Sequence, residues 1–456
     1  MIVKPDSAGG PDWLSESLRY SLRMRLSNGV VLAVALSGLS FAQPTSTPAQ
    51  RQLNVDSFEL VWKTVRDKHW DPKMNGVDWQ AVHDELLPKV EKAASTDDAR
   101  EVMSDMLGRL KQTHFGIVPG EAYKELDQKD DEGKSSPSEG DPGLDVRLVD
   151  GHTLVTFVTP DSPAAAKGVK LGWEILRIDG KELAPGMAKV HAAIGSALMA
   201  ELIETRSVEE RMRGPIDKTV DVEFLDGKDR KVKLKLGRTG PRGIETVVGS
   251  LPPLHFWMDA HKIQPDIGYV TFNMFFEPDA VASSVQKIMS QCSDCKGFII
   301  DLRGNPGGLG GMAMGLAGWF TSQSGLRLGT MYLRSTSLKF AVFPRAEPFR
   351  GPLAVLVDGC SASTAEIFAG GMQDLKRARV FGTHTAGAAL PSWFTKLPNG
   401  DGFQYAVANY ISEGGKPLEG VGVTPDQEVK LTRHQLLEGQ DPALDAAVSW
   451  IHGQKD

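Results

Sequence analysis

Apolar residues recur at helical spacing through the first third of the chain. Phe58, Leu60, Val61, Trp62 and Val65 form one stripe, and Trp79, Val82, Leu86, Leu87 and Val90 form a second. Ser95-Thr96-Asp97-Asp98 supplies capping residues for a third run, with Val102, Met106, Leu107 and Leu110 on one face. This pattern predicts an N-terminal helical unit over residues 51–126, whose last run closes at Gln112-Thr113-His114-Phe115-Gly116. Residues 127–142, beginning DQKDDEGKSSPSEGD, carry too little apolar surface to bury and read as an acidic flexible linker. The period then shortens to two. Leu154-Val155-Thr156-Phe157-Val158, Val220-Asp221-Val222-Glu223-Phe224 and the KVKLKL run predict a mostly-β unit over 143–238. In the last unit, 245–452, short apolar runs at Ile267–Phe272, Phe298–Asp301 and Leu353–Val357 alternate with helical segments. That alternation predicts an α/β layer fold, in which sites gather beyond the C-terminal ends of the strands.

Composition adds limits. A chain of 456 residues with 24% charged residues exceeds one ordinary core, which agrees with several units. The net charge of −7, with no interleaved basic and aromatic stretch, argues against nucleic acid as a partner. Near the N-terminus, Arg23, Met24 and Arg25 precede the apolar run Val30–Leu39 and the small-x-small sequence Ser40-Phe41-Ala42. Residues 1–42 therefore read as a signal peptide cleaved after Ala42, with Met24 as an alternative start. The run is short for a membrane span, so the mature protein is expected to be exported, periplasmic or extracellular, without a stable span. Cys292 and Cys295 form a C-x-x-C without a second pair, which leaves a local disulfide or two unlinked thiols rather than a zinc site.

Two turns at strand ends carry candidate chemistry. In Asp301-Leu302-Arg303-Gly304-Asn305-Pro306-Gly307-Gly308 the glycines allow backbone N–H groups to face a cleft, and no G-K-[ST] follows to make a phosphate loop. In Asp358-Gly359-Cys360-Ser361-Ala362-Ser363-Thr364-Ala365-Glu366 a serine among small residues precedes a helix. Such a serine is either a helix cap or a nucleophile beside N–H groups that favour an oxyanion.

The ordered set GYVTFNMF, GFIIDLRGNPGG, VLVDGCSASTAEIFAGGMQD, RVFGTHTAG, LPNGDGFQY and EGVGVTPD resembles the C-terminal-processing (tail-specific) and tricorn-core serine peptidases over roughly residues 51–450. The resemblance implies a ClpP/crotonase-like β-α superhelix as catalytic domain, with an N-terminal helical bundle and an inserted PDZ-like domain. It implies Ser363 as nucleophile, three residues before Glu366, with Ser361 in a structural or capping role. Oxyanion donors would be the N–H groups of Gly307, Gly308 and Thr364. One branch of the family takes its base from a lysine in a T-x-G-K turn. Here the turn is Thr385-Ala386-Gly387-Ala388, so Ala388 stands at the lysine position and Ser392 at that of a following glutamine. The tricorn-like branch uses a histidine from the N-terminal helical region, preceded by a hydroxyl residue and backed by a glutamate. Thr113, His114 and Glu419 match that set, with His384 as the alternative base.

Gly143-Leu144-Asp145-Val146 stands where a PDZ domain binds a peptide carboxylate, and Trp173 departs from the PDZ pattern at a usual aspartate. The module either recruits substrate by strand addition or packs against the catalytic domain and gates it. The expected function is that of a serine endopeptidase acting on protein or peptide substrates, with no metal or cofactor implied. The competing reading, kept open by the missing lysine, is an inactive peptide-binding pseudoprotease that retains the fold.

Overall fold

The computed structural model describes residues 46–120, 139–183, 197–246 and 254–454. The signal-peptide reading of residues 1–42, with its alternative start at Met24, lies outside them, as does most of the acidic stretch. Among the described residues no helix is long and apolar enough to cross a membrane.

Among the described residues the first α-helices are α1 (Pro48–Lys68), α2 (Trp79–Glu91) and α3 (Thr96–Gly108). Each starts on a side-chain cap, from Thr47, Asp78 and Ser95, and Ser95 closes a reciprocal capping box with Asp98. Their apolar stripes meet in one core built on Phe58, Val61, Leu86, Met103 and Leu110. Helix ends at Gly108, earlier than the periodicity suggested, because the following residues enter β1 (Gly116–Val118).

The middle unit holds β2 (Leu144–Val149), β3 (His152–Val158), β4 (Glu174–Ile178), helix α4 (Ala197–Met212), β5 (Val220–Leu225) and β6 (Lys231–Leu236). The strands form an antiparallel sheet in the order β2-β3-β4-β5-β6. Helix α4 breaks the alternation expected for this stretch. Its sequence, ALMAELIETRSVEERM, is rich in strong helix formers, and it lies against β2.

The last unit contains β7 (Met258–Gln264), β8 (Ile267–Phe272), α5 (Pro278–Gln291), β9 (Gly297–Asp301), α6 (Gly310–Ala317), β10 (Arg327–Leu333), β11 (Ser337–Ala341), β12 (Leu353–Val357), α7 (Thr364–Asp374), β13 (Arg379–Gly382), β14 (Ser392–Lys396), β15 (Gly402–Ala406), β16 (Ala408–Ser412), β17 (Gln427–Glu428) and α8 (Pro442–His452). A six-stranded sheet runs β7-β8-β9-β12-β13-β17, parallel except for the β7–β8 pair. Strands β9 and β12 are buried at every position, as continuous apolar runs in parallel sheets require. A large core, including Phe298, Ile300, Val355 and Phe368, covers one face, and α8 covers the other through Ala447 and Ile451. Cys292 and Cys295 are joined by a disulfide at the C-terminal end of α5.

Strand pairing and a buried ion pair are among the contacts that tie the helical unit to this fold. β1 joins β15 as the outer strand of a three-stranded sheet, in the register Ile117↔Phe403. Arg100 on α3 donates from Nε and Nη2 to Asp401, at 2.7 Å for the shortest bond, and the Gly120 N–H reaches the same carboxylate at 2.7 Å. The Asp401 side chain is fully buried and that of Arg100 is 7% exposed. Removing one partner strands the other as a buried charge, so Asp401→Ala is expected to cost about 3–5 kcal/mol. Replacing both residues by leucine should cost less than the single change, and chemical denaturation of the three proteins checks the order.

Candidate active site

The Gly-rich turn after β9 and the Ser-rich turn after β12 lie side by side because their strands are parallel neighbours. The Ala362 N–H donates to Asn305 O at 3.0 Å, and Thr364 Oγ1 donates to Gly308 O at 2.8 Å. Gly307 has φ +95, and a Cβ there would lie 2.7 Å from both Ser363 Cβ and the Thr364 nitrogen, so only glycine lets the turns approach this closely.

Ser363 is the residue immediately before α7, with φ 55 and ψ −117. A non-glycine residue there stores roughly 1–3 kcal/mol of strain, and the surroundings must hold it. Glu366 holds it. Its carboxylate is fully buried and accepts four hydrogen bonds: from Ser363 N (3.0 Å), Ala388 N (3.0 Å), Gly387 N (2.8 Å) and Thr385 Oγ1 (2.5 Å). Burial pushes its pKa up to about 7, against those four donors. In the sequence Glu366 only sets the register of Ser363. The Ser-x-x-Glu spacing of a capping box is the signal that points to its structural task. Ser361, fully buried, donates to Leu302 O at 2.8 Å and accepts from the Asp358 N–H at 3.0 Å.

The three oxyanion candidates are not equivalent. The Gly307 N–H donates to Asn305 Oδ1 at 2.9 Å and is already engaged. Among the described residues the N–H groups of Gly308 and Thr364 have no such partner. Gly307 contributes through its missing side chain.

The base candidates also separate. Thr113 and His114 stand between α3 and β1, with His114 at φ 61 and 5% exposed. Thr113 Oγ1 is 2.6 Å from His114 Nδ1 and donates to Glu419 Oε2 at 2.8 Å. With the hydroxyl proton committed to the carboxylate, Nδ1 is assigned as the donor to Thr113. Glu419 also accepts from the Thr113 N–H at 2.8 Å and the Ala389 N–H at 3.1 Å. One residue earlier, Ala388 O accepts from the Ser363 N–H at 2.9 Å. Ser363 and the His114–Thr113–Glu419 relay thus hold adjacent residues of one segment. Burial drives the His114 pKa down to about 3 and raises that of Glu419. The imidazole is therefore neutral near pH 7. His384 is not part of this relay. Its Nδ1 bonds Thr385 O at 3.0 Å, and its ring lines a cavity of ≈ 780 Å³ with Arg147, Glu201 and Asp358.

Ala388 is fully buried in an apolar cluster with Leu202, Cys360, Ala362 and Ala386, so α4 of the β-rich unit packs where a lysine side chain would need room. Ser392 Oγ accepts from Gln404 Nε2 at 2.9 Å, and Lys396 sits exposed on β14. Ala388→Lys is expected to destabilise the fold by about 1–3 kcal/mol through overpacking, and by more if the ammonium stays buried. It should also fail to rescue a His114→Ala variant when hydrolysis of unfolded casein is measured.

A serine-type peptidase, a hydrolase, needs an exposed serine, N–H groups open to an oxyanion and an imidazole backed by a carboxylate. Residues 266–429 match the model of peptidase family S41, and residues 55–108 that of the tricorn protease C1 domain. The chain thus carries a peptidase family S41 domain. A carboxyl-terminal-processing protease of Picosynechococcus sp. is 26% identical over 432 residues, covering 90% of this chain and 91% of that one. One from Synechocystis sp. is 26% identical, covering 84% and 82%. Among solved structures, the photosystem II D1 C-terminal processing protease superposes with a TM-score of 0.57 at 20% identity, over 87% of this chain and 99% of that one. Mature CPAF complexed with lactacystin gives 0.60 at 14% identity, over 88% and 98%. At these identities the superpositions speak for the shared fold.

Proposed function

We propose that the protein is an exported serine endopeptidase of unfolded or extended polypeptide. Ser363 Oγ attacks the scissile carbonyl while His114 Nε2 takes its proton. Nδ1–H stays bonded to Thr113, and Glu419 stabilises the imidazolium through the Thr113 hydroxyl. His114 then returns the proton to the leaving amine. The N–H groups of Gly308 and Thr364 receive the oxyanion, and the N-terminus of α7 adds its dipole. The observation that carries this reading is the 2.6 Å and 2.8 Å relay from His114 through Thr113 to Glu419, which ends on the residue beside the carbonyl that holds Ser363. It supplies a base where Ala388 offers none, which favours an enzyme over an inactive binding protein.

The unit boundaries of the sequence reading complete the proposal: a helical domain over 51–126, a PDZ-like domain over 143–238 and a catalytic domain over 245–452. The PDZ-like domain takes extended substrate along β2, which among the described residues has a strand partner, β3, on one side only. A fluorophosphonate probe tests the chemistry. It should label the wild-type protein at Ser363, Ser363→Ala not at all and His114→Ala far more slowly. Equal labelling of wild type and His114→Ala would remove His114 as base.

A further inference from the structure

The loop leading into β2 is where a bound peptide's terminal carboxylate would have to be held. Capture of a chain end draws on backbone N–H groups without other partners, and the start of the Gly143–Val146 loop supplies none. Pro142 has no N–H to offer. The Gly143 N–H donates to Oδ1 of Asp141 at 2.7 Å. Asp141 is pinned in turn, because its backbone N–H and C=O exchange hydrogen bonds of 3.0 Å with Thr239. The loop carbonyls point inward as well: Pro142 O accepts from the Ala164 N–H at 3.0 Å and Gly143 O from the Thr159 N–H at 2.8 Å. Gly143 has φ +79, and a Cβ there would lie 2.2 Å from Ser162 Cβ, so the loop is locked against its neighbour.

The surrounding charge acts in the same direction. Burial first, then repulsion from Glu209 and Asp141, raises the Asp145 pKa to about 6, and Asp141 is itself pushed up by burial. Among the described residues, three nearby cations have acidic partners. Arg147 binds Asp358 at 2.7 Å, Arg206 binds Glu209 at 2.8 Å and Arg213 lies 3.9 Å from Glu210. Arg242, which lines the same cavity as Asp145, stacks on Phe157 and Trp257.

We propose that Asp141 is a built-in stand-in for a substrate's terminal carboxylate, so that β2 receives internal stretches of a chain and the enzyme does not select free C-termini. The inference rests on the reading that β2 takes substrate by strand addition. The names of the carboxyl-terminal-processing relatives describe those proteins' own substrates, and this loop gives a physical reason for a different preference here.

The test uses full-length Ser363→Ala protein and a short fluorescein-labelled peptide pool with randomised last positions, made with a free carboxylate and as the C-terminal amide. Anisotropy should give dissociation constants that agree within about twofold for the two forms. Adding Asp141→Ala frees the Gly143 N–H and should make the carboxylate form about three- to tenfold tighter than the amide. Asp141→Asn keeps an acceptor for that N–H and should stay indifferent. A tenfold or greater preference for the free carboxylate without any change at Asp141 overturns the inference and leaves strand addition standing. Continued indifference of Asp141→Ala, with unaltered casein cleavage in the Ser363 background, also overturns it. If neither peptide form binds while the Ser363 protein still cleaves casein, strand addition to β2 is itself wrong, and the inference falls with it.

Discussion

Ser363→Ala should lower kcat/KM for unfolded casein by about 10⁴- to 10⁶-fold, and His114→Ala should lower it by a similar factor. The two effects should not multiply. A nucleophile without its base and a base without its nucleophile lose the same step, so the double variant is expected to resemble either single one. The remaining rate over water would come from substrate binding and the open N–H groups of Gly308 and Thr364. Steady-state kinetics on the three variants, each checked for an unchanged circular dichroism spectrum, decides the matter. Multiplicative losses would mean that His114 acts outside the chemistry of Ser363.

The second large effect is expected at the far end of the relay. Glu419 accepts from Thr113 N, Thr113 Oγ1 and Ala389 N, and donates nothing. Glu419→Gln places an amide NH₂ against one of these donors and removes the charge that stabilises the imidazolium. A loss of about 10²- to 10⁴-fold, mainly in kcat, is expected by analogy with an amide in place of a triad carboxylate. Thr113→Val should fall in the same range, whereas Thr113→Ser, which keeps the hydroxyl, should retain most activity. The pH profile separates chemistry from structure. Burial raises the Glu419 pKa above its ordinary value, so protonation removes the relay's charge as pH falls through that raised value. The wild-type acid limb of kcat/KM should follow this loss, and Glu419→Gln should lack that limb. A glutamine variant with unchanged kcat and an unchanged profile would reduce Glu419 to a structural anchor.

Much of the site was legible because its parts are local. The glycines of Gly304–Gly308 and the serines around Ser363 cluster at the ends of apolar runs, where α/β folds expose backbone N–H groups. The division of labour among the three oxyanion candidates was not legible. It depends on whether the Asn305 side chain turns back onto the Gly307 N–H, a choice made by packing between two turns. The helix α4 inside the strand-rich stretch was missed for a related reason, since its own helix formers outweigh the alternation of its neighbours.

The sequence by itself determined the setting of Ser363, the glycines of the neighbouring turn and the absence of a lysine at Ala388, because each is written within a few consecutive residues. Only the tertiary structure brought His114, Thr113 and Glu419 together. Thr113 meets Glu419 across a sequence separation of 306, which no local rule specifies. That meeting depends on the pairing of β1 with β15 and on the buried Arg100–Asp401 contact. The same long-range packing fills the lysine position with α4. Contacts of this kind have no period to read in a sequence, since they arise only when separate units bury their surfaces against one another.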